Sequence, residues 1–161
     1  MVNPAKPKIL VVDDSPDNLY VMIEALRNHC TVEVALGGRQ ALEMALRQPL
    51  PEAILLDVMM PDMDGFEVCR QFKNLEASRD IPVLFITILE NVNEEQRALA
   101  MGAVDFIRKP INPAVLRARV LTHVELARAR GLLVGQNRPP NPLSLKGRGG
   151  EKFQIQNPLS P

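Results

Sequence analysis

Apolar residues follow two rhythms along this chain. Three short continuous runs, Ile9–Val12, Ala53–Leu56 and Val83–Ile86, are too brief for helices and read as strands buried on both faces. Val104-Asp-Phe-Ile107 predicts a further strand. Thr31–Leu36 alternates over part of its length before Gly37-Gly38, as a half-buried edge strand does. Pro82 stands where it opens a strand without removing a ladder bond.

Between these segments the apolar spacing changes to three and four. Ser15-Pro16 offers an N-cap followed by proline at the first helical position, and Leu19, Met22, Ile23 and Leu26 continue a helix to near Asn28. Ala41, Leu42, Ala45 and Leu46 define one face of a second helix, which stops ahead of Pro49 and Pro51 because proline disfavours helical geometry in the residue before it. Pro61-Asp-Met-Asp-Gly65 is the turn into a third helix, with Phe66, Cys69, Phe72 and Leu75 on its buried side. Asn91–Met101 supplies a fourth, closed by Gly102 as a left-handed cap. Asn112-Pro113 starts the last, which runs through Val115, Leu116, Val120, Val124 and Ala127 toward Leu133. Five strands alternating with five helices predict an α/β protein with a doubly wound five-stranded parallel sheet, since parallel neighbours need crossover connections.

Composition refines this only in places. The 161 residues suit one domain, expected over residues 1–134, plus a Pro/Gly-rich tail over 135–161 that repeats Asn-Pro-Leu-Ser at 141–144 and 157–160. The tail has too little periodic apolar content to offset its ordering entropy and is expected to be disordered. Net charge is zero overall, −3 for residues 1–134 and +3 for the tail, so charge nominates neither nucleic acid nor an anionic membrane. Arg117, Arg119, Arg128 and Arg130 make the last helix basic, but Glu125 interrupts them and no nucleic-acid reader follows. Cys30 and Cys69 lack any pairing or zinc spacing and read as packing residues of a reducing cytoplasm. With no signal-peptide core and no membrane-length run, the expected location is cytoplasmic.

Chemistry enters at the ends of the strands. Asp13 and Asp14 follow the first, Asp57 the third, Thr87 the fourth, and Lys109-Pro110 the fifth. Ligands of open parallel sheets bind just beyond the carboxyl ends of the strands, so three carboxylates, a hydroxyl and an ammonium should converge. Crowded carboxylates repel unless a cation lies among them, and hard divalent ions prefer oxygen. The site suits a metal and a phosphoryl group. Asp57 taken singly would be an ordinary turn aspartate; its convergence with the other four reverses that reading. Asp17, Asp62 and Asp64 are more simply a helix first-turn charge and loop formers, and neither His29 nor His123 has partner spacing for metal or catalysis.

These positions, with Leu55-Leu-Asp-Val-Met-Met-Pro-Asp-Met-Asp-Gly65, resemble the receiver domain of two-component response regulators over about the first four-fifths of the chain. The resemblance implies a flavodoxin-like strand order 2-1-3-4-5. It also implies a His-Asp phosphorelay module in which a sensor histidine kinase or phosphotransfer protein phosphorylates Asp57. Mg²⁺ would be held by Asp13, Asp14, Asp57 and the backbone carbonyl of Met59. It further implies a cis Lys109–Pro110 bond, a role for Lys109 at the phosphoryl oxygens, and a switch in which Thr87 and Phe106 alter the surface of helix four, strand five and helix five. The expected output is contact with an unknown protein. The Leu, Val and Ala stripe of the last helix also suits a phosphorylation-dependent homodimer.

Such a module is a signalling phosphoacceptor, limited as an enzyme to autophosphorylation from small donors and autodephosphorylation. Phosphoryl transfer asks the protein for positioning and charge neutralisation, which this residue set supplies. Ile88 departs from the small residue usual beside the threonine, and its branched bulk would narrow access. That keeps open a degenerate receiver acting without phosphorylation. An aspartyl-phosphate phosphatase of the haloacid dehalogenase type is the other alternative, but it needs a nucleophile and an acid two residues apart on the first strand, where this chain has adjacent Asp13-Asp14.

Overall fold

Runs of branched and aliphatic side chains can be buried on both faces only if helices cover both sides of a sheet, and here they do. The computed structural model describes residues 5–88 and 91–137, with side chains placed through residue 131. Strands β1 (Lys8–Val12), β2 (Thr31–Ala35), β3 (Ala53–Asp57), β4 (Val83–Thr87) and β5 (Asp105–Arg108) alternate with helices α1 (Pro16–Leu26), α2 (Gly38–Met44), α3 (Gly65–Asn74), α4 (Val92–Ala100) and α5 (Pro113–Asn137). All strand pairs are parallel and the order is β2-β1-β3-β4-β5, with β2 on an edge as its alternation predicts.

The period of two within each strand sorts the core into two layers. Ile9, Val11, Leu55, Leu84, Ile86 and Ile107 pack with Leu19, Met22 and Leu26 of α1 and Leu116, Val120 and Val124 of α5. Leu10, Val12, Ile54, Leu56, Val83 and Phe85 pack on the other face with Met44, Phe66, Val68, Phe72 and Ala98 of α2, α3 and α4. Each fully buried side chain of this kind contributes about 1.5–3 kcal/mol, and the two faces together hold the strand ends in register.

Several expectations shift by a residue or two. Helix α1 ends at Leu26, two residues before Asn28. Leu46 lies past the end of α2 and Leu75 past the end of α3; both are exposed, because neither is on a helical turn that faces the sheet. Val104 precedes β5, although its N–H still donates to the carbonyl of Val83. Val115 is exposed while Leu116 is fully buried. Gly102 adopts φ +101°, the left-handed cap that the position predicts.

The chain divides into two units. The first, through Glu125, holds the sheet and every candidate site residue. Of the second, from Leu126, the described part is helical to Asn137. The tail expected from residue 135 therefore begins with three helical residues; its remainder, 138–161, lies outside the described residues.

Gly65 marks where α3 crowds β3. Its N–H donates to the carbonyl of Val58 at 2.7 Å, and a Cβ there would fall inside van der Waals distance of the Asp57 carbonyl and of Val58 Cα. Backbone cannot yield as a flexible side chain does. Gly65→Ala is expected to lower stability by about 1–3 kcal/mol, the range for overpacking, and to displace Asp57. Chemical denaturation measures it; an unchanged midpoint would show that the turn can open freely.

Candidate phosphoacceptor and metal site

The strand register assembles the site. Val12 pairs with Leu56, so Asp13 and Asp57 emerge side by side from β1 and β3. Thr87 pairs with Arg108, which leaves Lys109 one residue beyond, its N–H donating to the carbonyl of Thr87 at 2.8 Å. Asp13, Asp57, Thr87 and Lys109, far apart in sequence, thus meet at one edge of the sheet.

Asp13 is 0% exposed. Its Oδ1 accepts the N–H of Ser15 at 2.9 Å, whereas Oδ2 is buried with no hydrogen-bond partner, the Lys109 ammonium lying 3.7 Å away. Asp57, 3% exposed, accepts a hydrogen bond from Lys109 Nζ at 3.0 Å through Oδ1. Burial pushes the Asp57 carboxyl above its ordinary value, the Lys109 hydrogen bond opposes this, and the neighbouring Asp13 charge adds to the rise. Asp14 is exposed at the rim, and Asp13, Asp14 and Asp57 each offer a carboxylate oxygen within 4.8 Å of the others.

A buried anionic oxygen without a donor is expensive, and one lysine among three carboxylates leaves the nest negative. Three hard oxygen donors, one of them orphaned, fit a small divalent cation such as Mg²⁺. Asp13, Asp14 and Asp57 would hold it.

Around this nest, Thr87 is buried at the last position of β4. Phe106 is half-buried and packs on the α2, α3 and α4 face, opposite Phe85 in the ladder. The Arg108 guanidinium lies 5.9 Å from its ring centre and pairs with Glu95 of α4. The Lys109–Pro110 peptide is cis, and so is Gln48–Pro49, which nothing in the sequence flagged. Met59 and Ile88 are 63% and 58% exposed. Cys30 and Cys69 are buried unpaired thiols whose burial pushes their ionisation upward, as packing residues require.

Three acidic residues do more than the sequence reading allows. Asp64 is the N-cap of α3, accepting the Glu67 N–H at 2.9 Å; the Asp-x-x-Glu spacing carries that signal. Asp62 accepts the N–H groups of Gly38 and Arg39, both at 3.2 Å, across 24 and 23 residues of sequence, which no local pattern could reveal. Asp105 bridges to Arg119 at 3.0 Å and to His123 at 3.1 Å, giving that histidine a partner.

The profile of the response regulator receiver domain matches residues 9–121. A protein of Vibrio cholerae named as a probable cyclic di-GMP phosphodiesterase is 40% identical over 129 residues, 80% of this chain and 29% of its own length. Response regulator PleD of Caulobacter vibrioides is 46% identical over 114 residues, 70% of this chain and 25% of its own. The chain thus spans under a third of the length of these two relatives. Among solved structures, a signal receiver domain of Vibrio parahaemolyticus superposes with a TM-score of 0.73 at 27% identity, covering 80% of this chain and 97% of that one. With the fold, the order of its strands and the profile in agreement, the chain belongs to the family of response regulator receiver domains.

Proposed function

We propose that Asp57 accepts a phosphoryl group from a histidine kinase or phosphotransfer protein in an Mg²⁺-dependent step, and that the acyl phosphate changes the surface of α4, β5 and α5. The observation that carries this is the pairing of a buried carboxylate, Asp57, with one cation, Lys109, beside the orphaned oxygen of Asp13. In the transfer, an Asp57 carboxylate oxygen attacks phosphorus as the bond to the donor's imidazole nitrogen breaks, and the electron pair leaves with the histidine. Lys109 favours the ionised form of Asp57 against its burial and meets the phosphoryl oxygens as a point charge. Asp13, Asp14, Asp57 and the carbonyl of Met59 would hold Mg²⁺, which would supply further charge neutralisation at those oxygens. The domain is a signalling phosphoacceptor by this reading, acting in the cytoplasm on an unidentified output protein, with a phosphorylation-dependent homodimer through the last helix as a further outcome. Among the described residues no helix is long and apolar enough to cross a membrane.

Labelling tests the reading. Incubation with a small acyl phosphate and Mg²⁺ should add one acid-stable, base-labile phosphoryl group, and none when a chelator replaces the metal. Wild-type protein that takes up nothing, although folded, would favour the degenerate receiver that the exposed Ile88 keeps in view.

The switch half has its own test. Thr87 ends β4, Phe85 faces Phe106 across the ladder, the rings of Phe85 and Phe66 lie 5.2 Å apart, and Arg97 of α4 stands 4.2 Å over Phe66. A shift at Thr87 can thus reach α4 through packed rings with discrete arrangements. Thr87→Ala should still be phosphorylated but lose the change in amide exchange over α4, β5 and α5 that a phosphoryl analogue induces in the wild type. An intact response in the variant would remove Thr87 from the coupling.

A further inference from the structure

Asp62 ties two parts of the molecule that flank the acidic nest. The loop from Val58 to Asp64 follows Asp57 directly and carries Met59, whose backbone amide favours the charged form of the Asp57 carboxyl. At its base the loop is pinched by the Gly65 N–H on the Val58 carbonyl. At its outer end Asp62 reaches the start of α2, where Gly37 as N-cap supplies no side chain of its own to the free N–H groups. The Asp62 carboxylate fills that place, taking Gly38 N–H with Oδ1 and Arg39 N–H with Oδ2.

The two glycines form the socket. A Cβ on Gly37 would meet both Asp62 oxygens at 3.0 Å, and one on Gly38 would meet Val68 Cγ2 at 2.6 Å and Met63 Cβ at 3.0 Å. The same corner joins the nest from its other side, because the carbonyl of Ala35 at the end of β2 accepts the N–H of Asp13 at 3.1 Å. The two N–H bonds also hold the Asp62 carboxyl below the usual carboxylate range, so it stays an acceptor at any ordinary pH.

We infer that Asp62 is a positioning residue for the phosphoacceptor site: by clamping the loop 58–64 to the start of α2 it holds Met59 and Asp57 in place relative to Asp13 for cation binding. The inference rests on the reading of that nest as an Mg²⁺ site. An outer partner of this kind acts by removing the freedom of the inner groups, as second-shell partners of metal ligands do.

Calorimetric titration of the full chain with Mg²⁺ tests it, on wild type, Asp62→Ala, Asp62→Asn and Gln40→Ala. Gln40 Oε1 accepts the Leu36 N–H at 2.8 Å in the same corner without touching the loop, so its loss loosens α2 alone. Asp62→Ala should weaken Mg²⁺ binding about tenfold, the low end for outer-shell partners. Asp62→Asn, which keeps one acceptor oxygen, should fall between Ala and wild type, and Gln40→Ala should stay near wild type. Amide exchange at Gly38 and Arg39 should rise in step with the loss of affinity. Equal losses in Asn and Ala would assign the effect to the missing charge, and equal losses in Gln40→Ala would assign it to general loosening; either overturns the clamp, as does wild-type affinity in Asp62→Ala. Should the alanine variant fail to fold, the asparagine variant against Gln40→Ala decides. A wild type that binds no Mg²⁺ would instead overturn the reading of the nest itself.

Discussion

Asp57→Ala is expected to take up no phosphoryl group from a small acyl phosphate and Mg²⁺ under conditions that label the wild type fully. Removing a nucleophile costs on the order of a thousandfold or more in rate, which puts the variant below detection by intact-mass measurement. Neither neighbour can substitute. Asp13 is fully buried with one oxygen committed to the Ser15 N–H, and Asp14 stands exposed at the rim, whereas Lys109 bonds Asp57 at 3.0 Å. Labelling that survives the substitution would assign the phosphoryl group elsewhere. The reaction should also fail in acid sooner than for an ordinary aspartate. Because burial raises the Asp57 carboxyl above 3.8, it protonates at a higher pH, and labelling and Mg²⁺ affinity should fall together as pH drops through that raised value. For the metal-free fold the sign is opposite: the stability linked to Asp57 is present below the unfolded value and lost as pH rises through the folded one. A labelling profile indifferent to pH down to the ordinary aspartate range would remove Asp57 ionisation as the controlling event.

Asp13→Asn is expected to stabilise the metal-free protein while removing most of its response to Mg²⁺. In the wild type Asp13 Oδ2 is a buried anionic oxygen with no hydrogen-bond donor, in a cluster with Asp57 and Asp14. Asparagine keeps an oxygen for the Ser15 N–H, removes the charge, and places donor hydrogens where the orphan stood. Relief of one unsatisfied buried group amounts to about 1–2 kcal/mol, a rise of roughly 4–8 °C in Tm for a domain of this size. In exchange the cation loses a charged ligand. Wild type in Mg²⁺ at a hundred times its Kd should gain about 2.7 kcal/mol, and most of that gain should vanish in the variant. Thermal unfolding with chelator and with Mg²⁺ reads both effects. A variant less stable than wild type in chelator would show that the acidic nest is not strained, and an undiminished Mg²⁺ increment would show that Asp13 is not a ligand.

These two expectations draw on different depths of information. That the chain has five strands and five helices in alternation was written in the apolar runs, because a strand buried on both faces must be continuously apolar and a helix over a sheet must repeat its apolar side at three and four. Element ends were less legible. Leu46 and Leu75 continue the helical spacing by count, yet they fall just past the last turn and point to solvent, since spacing alone does not say where a helix runs out of sheet to cover. The candidate site was legible because each of its residues follows an apolar run, and parallel strands all deliver their carboxyl ends to one edge.

What the sequence determined by itself is therefore the class of the fold and the kinds of group at that edge. The parallel register of Val12 with Leu56 and of Thr87 with Arg108 then decided which groups touch, leaving one oxygen of Asp13 without a donor and giving Lys109 to Asp57. The tertiary structure alone also decided that Asp62 caps a helix more than twenty residues away and that His123 finds Asp105. Local patterns encode bonds along one segment, but a hydrogen bond between two loops depends on how the sheet and helices bring them together, and that placement follows from packing of the whole domain.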